Sequence, residues 1–221
     1  MAGMPYKRSA YRNWLSLFSQ PRPTLPGLCH ACGQWAWQAL CPDCALLGHY
    51  PSDESGASCV AARLYVSPWK ELITAFKFEE QAGLASFLAH QMRNTAAIAQ
   101  RVEDCDCVVP VPLSAQRLRE RGFNQALLLA KQLCPKRTLA QGLIRLRDTP
   151  AQSGLSRQDR LHNLDNAFMV NPVHLQMLRD AKVVLVDDVT TTGTTLLACT
   201  QALQAAGVKQ VDAVVLARTP A

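Results

Sequence analysis

Aromatic residues make up only 6% of this 221-residue chain. That is sparse for a dedicated platform on which successive bases of a strand would stack. No apolar run approaches the ~20 residues that span a bilayer; runs such as Val183–Val186 fall far short. Membrane-spanning, collagen and coiled-coil classes are therefore excluded. Charged residues are modest at 18%, but 48% of the chain is apolar, so it is not a disordered chain. A secretory signal core is also lacking. Near the start, only Trp14-Leu15-Ser16-Leu17-Phe18 is apolar, and it is too short and interrupted. The expectation is a cytoplasmic protein in a reducing setting, where disulfides do not persist.

What is there suits one medium α/β domain with a small appendage. The formal net charge is +6. It is concentrated: residues 111–165 hold ten Lys/Arg and four Asp/Glu, while the rest of the chain balances. A local excess of this kind points to a polyphosphate pocket or a strand groove rather than to general solubility.

The chain divides into a lead-in (1–24), a cysteine module with linker (25–58), and a main domain (59–221). In the main domain, strand-like Val60–Val66, Cys107–Pro112, Lys182–Val186 and Val211–Ala217 alternate with helix-like Trp69–Phe78, Ala82–Met92, Phe123–Leu133 and Thr194–Ala206. In Phe123–Leu133 the expected buried side is Leu127, Leu128, Ala130 and Leu133. Gly207 closes the last helix where left-handed backbone is wanted. This alternation predicts a mostly parallel sheet flanked by helices.

Nine cysteines are present. Cys29 and Cys32 form one Cys-x-x-Cys pair, and Cys41 and Cys44 form a second. Two such knuckles facing each other give the four-sulfur tetrahedron that zinc prefers, closed to water and hence structural rather than catalytic. The linker is shorter than the usual ~15–20 residues, and unliganded reduced cysteines are the alternative. The remaining five (Cys59, Cys105, Cys107, Cys134, Cys199) lack partner spacing and read as buried or incidental thiols.

The most informative stretch runs Val186-Asp187-Asp188-Val189-Thr190-Thr191-Thr192-Gly193-Thr194-Thr195. A buried strand delivers two carboxylates at its carboxyl end, where open α/β sheets bind ligands. A loop of hydroxyl residues with one glycine follows and opens a helix, which makes a cradle for a phosphate dianion. Carboxylates beside that cradle must face neutral hydroxyls or a cation. A phosphorylated sugar meets both demands. A Walker A loop is excluded because no lysine is in the loop. Two further segments are basic. Arg117, Arg119 and Arg121 follow the Pro110-Val-Pro112 strand end, where forked guanidinium groups would neutralise a diphosphate. A solvated helix face is the alternative for these. Residues 145–163 hold Arg145, Arg147, Gln152, Arg157 and Arg160 with Pro150 and Gly154, and suit a lid that closes over a reacting centre.

The acidic pair and its loop resemble the phosphoribosyl pyrophosphate (PRPP) motif of type I phosphoribosyltransferases. The run Arg121-Gly-Phe-Asn-Gln125, Thr149 with Gln152, Arg160 with Asn163, and Ala167-Phe168 resemble the ComF/GntX family. That family joins a cysteine-rich N-terminal module to a phosphoribosyltransferase-like domain. The resemblance implies that Asp187 and Asp188 hold the ribose and that Thr190, Thr191, Thr192, Gly193, Thr194 and Thr195 hold the 5-phosphate. Arg117 and Arg121 are expected near the pyrophosphate, with Gln152, Arg157 and Arg160 in the lid. Asp187, Asp188 and Arg147 are expected at the reacting centre. Zinc on Cys29, Cys32, Cys41 and Cys44, and magnesium with PRPP, are the expected metals. An acceptor would lie against a hood from residues 60–82 and the strand end near Arg218. A role in DNA uptake or in the use of DNA as a nutrient is implied by the family alone. A non-catalytic adaptor or sensor, touching single-stranded DNA or uptake machinery through the zinc module and basic segment, is the competing reading.

Overall fold

A computed structural model describes residues 58–78, 81–146 and 167–220, and the backbone of two short strands, β1 (Gly27–Leu28) and β2 (Trp35–Ala36). β1 and β2 pair antiparallel, Gly27 opposite Ala36 and Leu28 opposite Trp35. Cys29, Cys32, Cys41 and Cys44 lie outside the described residues, as do Arg147, Gln152, Arg157 and Arg160.

The main sheet has four strands in the order β3–β8–β7–β4: β3 Ser58–Leu64, β4 Cys107–Pro110, β7 Lys182–Thr190 and β8 Gln210–Arg218. All its pairings are parallel. Parallel strands need cover on both faces, and their near-continuous apolar runs supply it. In β7, Val184 and Val186 point into one core cluster, while Val183 and Leu185 point into the other. The first cluster is covered by α1 (Trp69–Phe78), α2 (Leu84–Arg93), α3 (Ala96–Asp104) and α5 (Gln125–Leu133). The second is covered chiefly by α7 (Thr194–Ala205) and by a two-stranded antiparallel ribbon, β5 (Leu143–Arg145) with β6 (Phe168–Val170). Each fully buried Leu, Ile or Phe contributes roughly 1.5–3 kcal/mol to this packing. Two short α-helices complete those among the described residues, α4 (Ala115–Arg121) and α6 (Leu175–Leu178). Among the described residues no helix is long and apolar enough to cross a membrane.

Several expectations need correction. β7 runs past Val186 to Thr190, so the strand carries the acidic pair as expected but also takes in Thr190, which was expected in the loop. The ladder to β8 continues through Asp187 opposite Val215 and Thr190 opposite Arg218. In α5 the buried face is Gln125, Ala126, Leu129, Ala130 and Leu133, and Leu127 and Leu128 are half-buried. The helix starts two residues later than expected because Asn124 caps it. The ribbon β5–β6 and the helix α3 were not anticipated.

Candidate active site

The site follows from where two strands stop. Val111 donates its N–H to the carbonyl of Val186 at 2.9 Å. β4 ends at Pro110, and past the Val111 bond only β7 runs on, to Thr190. The gap between them is a cleft of about 560 Å³, within the size range of small-molecule sites. Its lining includes Lys77, Val111–Leu113, Arg117, Arg121, Arg145 and Asp187 through Thr195.

Successive strand residues face opposite sides of a sheet, so the two carboxylates straddle β7. Asp188 lies on the α1 side, where its Oδ2 is 3.1 Å from the ammonium of Lys77. Its Oδ1 accepts from the Val189 N–H at 2.6 Å. Asp187 lies on the α7 side, near Cys199, whose thiol is pushed up by burial first and then by the charge of Asp187. Oδ1 of Asp187 accepts from the Asp188 N–H at 2.8 Å. Burial, followed by the like charge of Asp188, pushes the Asp187 carboxyl up to about 8, against the opposing pull of that N–H and of Lys77. The pair thus offers one carboxyl group paired with Lys77 and one that holds its proton more tightly than usual.

Beyond Thr190 the chain turns through Thr191, Thr192 and Gly193. Gly193 has φ 76°, a left-handed conformation that suits glycine. It is the N-cap of α7, so no side chain caps the first-turn N–H groups, and that turn holds no acidic residue. These donors remain available to an anion. Thr192 and Thr194 share a hydroxyl–hydroxyl hydrogen bond of 2.7 Å beside them. Thr190 is buried, and its carbonyl accepts from the Thr219 N–H at 3.1 Å, which ties the loop's entry to the end of β8.

The opposite wall is α4, which buries none of its own residues. Its ends hold it instead. The Ser114 hydroxyl accepts from the Arg117 N–H at 3.2 Å, and Gly122, at φ 76°, returns its N–H to the Leu118 carbonyl at 2.9 Å. Arg117 and Arg121 reach the cleft from this helix, whereas Arg119 does not line it. The Arg121 guanidinium lies 5.2 Å over the Phe78 ring, and its Nη1 donates to Oε1 of Gln125 at 3.2 Å. The Arg-Gly-Phe-Asn-Gln run is thus a structural unit: Gly122 turns the chain, Phe123 packs 5.8 Å from Phe76, and Asn124 caps α5.

Of the sequence-predicted site residues, Arg117, Arg121, Asp187, Asp188 and all of Thr190–Thr195 line this one cleft. Lys77 and Arg145 line it as well; from the sequence they were placed only within the hood (60–82) and lid (145–163) segments, with no individual role. Arg145 ends β5, with its guanidinium 5.3 Å over the Phe168 ring of β6. Arg145 is also the first residue of the segment expected to act as a lid. Among the described residues no group of three or more His, Cys, Asp or Glu is placed to hold a metal ion.

An open parallel sheet with an acidic pair at a strand's carboxyl end, followed by a hydroxyl-rich turn into a helix, is the arrangement expected of a type I phosphoribosyltransferase-like fold, and a family match supports it. Residues 122–221 match the phosphoribosyl transferase domain family. The chain is 33% identical over 211 residues to the DNA utilization protein YhgH of Salmonella typhimurium, covering 87% of this chain and 91% of that one. It is 36% identical over 160 residues to Competence protein F of Haemophilus influenzae, covering 70% and 69%. The Escherichia coli K12 YhgH protein matches at 31% over 235 residues, covering 89% and 99%. The chain belongs to the ComF family. A solved structure of the allosteric regulatory enzyme of purine biosynthesis matches 62% of this chain but only 25% of its own, at 20% identity and a TM-score of 0.38, too distant to support an argument.

Proposed function

We propose that this chain binds PRPP with magnesium, or a related ribose 5-phosphate compound, in the cleft between β4 and β7, in a cytoplasmic role in DNA utilisation like that named for its relatives. The observation that carries this reading is the pairing of two unlike subsites within one turn of chain. The uncapped α7 terminus at Gly193 offers uncharged N–H donors to a phosphate, while Asp187 and Asp188 offer their carboxyl groups to sugar hydroxyls. Arg117 and Arg121 face them across the cleft and suit a diphosphate. Magnesium would arrive with that diphosphate. Arg147, Gln152, Arg157 and Arg160 belong to the segment between β5 and β6, which this reading treats as the lid. Transfer to an acceptor against Lys77 and its neighbours in α1 would follow if the protein is an enzyme. Zinc on Cys29, Cys32, Cys41 and Cys44 fits a module whose first cysteine pair falls, in sequence, between the antiparallel strands β1 and β2.

A specific observation favours the adaptor reading as a second possibility. Around the arginine wall, Phe78, Leu118 and Leu146 are 65%, 45% and 52% exposed. Apolar and cationic groups mixed in this way suit a polyanion such as single-stranded DNA. Calorimetric titration of PRPP with magnesium tests the first reading, and absence of binding at millimolar ligand rejects both catalysis and sensing. Salt separates the two. DNA affinity should fall steeply between low and physiological salt, and sugar-phosphate affinity much less.

A further inference from the structure

Lys77 is the basic residue in the last turn of α1, and its ammonium is already committed to Asp188 at 3.1 Å. Both side chains are largely buried, at 15% and 11% exposure. An ammonium at this depth is costly without an anion beside it. The Tyr65 ring, 6.0 Å away, flanks it and supplies no full charge.

The backbone of Lys77 is tied to the arginine wall. Nε2 of Gln125 donates to the Lys77 carbonyl at 3.5 Å, and Oε1 of the same side chain accepts from Arg121 at 3.2 Å. Gln125 is 1% exposed. A buried amide must use both its ends, and here one end holds the Arg121 guanidinium and the other the backbone from which Lys77 projects. Gln125 therefore ties the end of α1 to the arginine wall.

This frame has a consequence when sugar hydroxyls arrive. Each hydroxyl that donates to Asp188 competes with the ammonium for the same oxygens. Lys77 is then released in a low-dielectric site, where it needs another anion. Arg121 lies across the same space. We infer that Lys77 exchanges Asp188 for an anionic substituent on C1 of the ligand, so that Lys77 with Arg121 selects C1-anionic ribose 5-phosphates over those with a free anomeric hydroxyl, and that Gln125 is the positioning residue for both. This rests on the reading that Asp188 takes ribose hydroxyls.

Calorimetry on the full-length chain with magnesium, comparing PRPP with ribose 5-phosphate, tests it. The readout is the ratio of the two affinities, which a uniform loss of active protein does not move. Lys77→Met should lower the ratio at least ten-fold, with ribose 5-phosphate binding as well as before or better, because no ion pair need break. Lys77→Arg should restore part of the ratio. Gln125→Leu should lower it too, and Gln125→Glu, which keeps an acceptor for Arg121, should lower it less. If lone Lys77→Met leaves Asp188 unpaired and fails to fold, the Lys77→Met/Asp188→Asn pair removes both charges and the same ratio is read. An unchanged ratio in the lysine variants, or equal weakening of both ligands, overturns the inference while leaving the proposed function standing. A wild-type protein that binds neither ligand rejects the proposed function itself, and the inference with it.

Discussion

Asn124 Nδ2 donates to the carbonyl of Val111 at 3.0 Å, joining the start of α5 to the last ladder residue beside β4. Its Oδ1 meanwhile accepts from the Leu127 N–H at 3.2 Å as the helix cap. One side chain thus holds both the floor and the arginine wall of the cleft. Asn124→Ala should cost about 2–3 kcal/mol, roughly 1 for the cap and the rest for a buried carbonyl left unpaired. Asn124→Asp keeps the capping oxygen and loses only the donor, so its melting temperature should fall between wild type and alanine. Thermal unfolding followed by circular dichroism checks the order. Equal melting of all three would remove Asn124 from this role.

Gly193 is where backbone strain and ligand binding coincide. At φ 76° an alanine costs about 1–2 kcal/mol, and a methyl group enters the turn that is to cradle a phosphate. Gly207, at φ 87°, supplies the control. A Cβ there meets only ordinary contacts with Arg179 at 3.7 Å, and the residue does not line the cleft. Gly193→Ala and Gly207→Ala should lose similar stability, but only the first should weaken PRPP by ten-fold or more in calorimetry. Equal ligand affinity in the two variants would argue against a phosphate at this turn.

The uneven legibility of this molecule has physical causes. Trp69–Phe78 could be read to the residue because its apolar spacing is helical and its buried face holds Trp69, Leu72, Ile73 and Phe76. The helix α3 escaped notice because only Ile98 and Val102 are buried, too few to show a period. The ribbon β5–β6 escaped because three-residue strands carry no alternation of their own, and their pairing is between residues more than twenty apart. Within the site, the acidic pair and threonine turn are contiguous and announce themselves. Lys77 reaches Asp188 only through the packing of α1 on the sheet, which no local motif encodes. Arg121 and Gln125 were legible as members of a motif, but the bond between them was not.

Asp187 makes a pH prediction. Its folded-state carboxyl titrates at about 8, against 3.8 when unperturbed, so between those values the native state holds a proton that the unfolded chain has lost. Stability contributed by this group is therefore full below about pH 4 and declines as pH rises towards 8. Asp187→Asn removes the titration. The variant should gain on wild type progressively from pH 4 to 8, by about 2–4 °C in melting temperature for each kcal/mol recovered. It should lose ligand affinity over the same range, a common exchange of stability for function at sites. A constant difference between the two proteins across that range would show that Asp187 titrates normally.

Thiol accessibility tests the cysteine assignment as a whole. Cys105, Cys107, Cys134 and Cys199 are buried and Cys59 is half-buried. Burial first, for both Cys105 and Cys107, pushes their thiols up to about 11, so little thiolate is present to react at neutral pH. If Cys29, Cys32, Cys41 and Cys44 ligate zinc, they too are silent while metal is bound. A chromogenic disulfide reagent should therefore titrate at most about one thiol per chain in the native protein, about five after a zinc chelator is added, and all nine in denaturant. Metal analysis should find one zinc per chain, lost in Cys41→Ser. PRPP affinity should stay within about two-fold in that variant, since every described residue that lines the cleft falls between Lys77 and Thr195. Five reactive thiols before any chelator would mean that the cysteine module holds no metal.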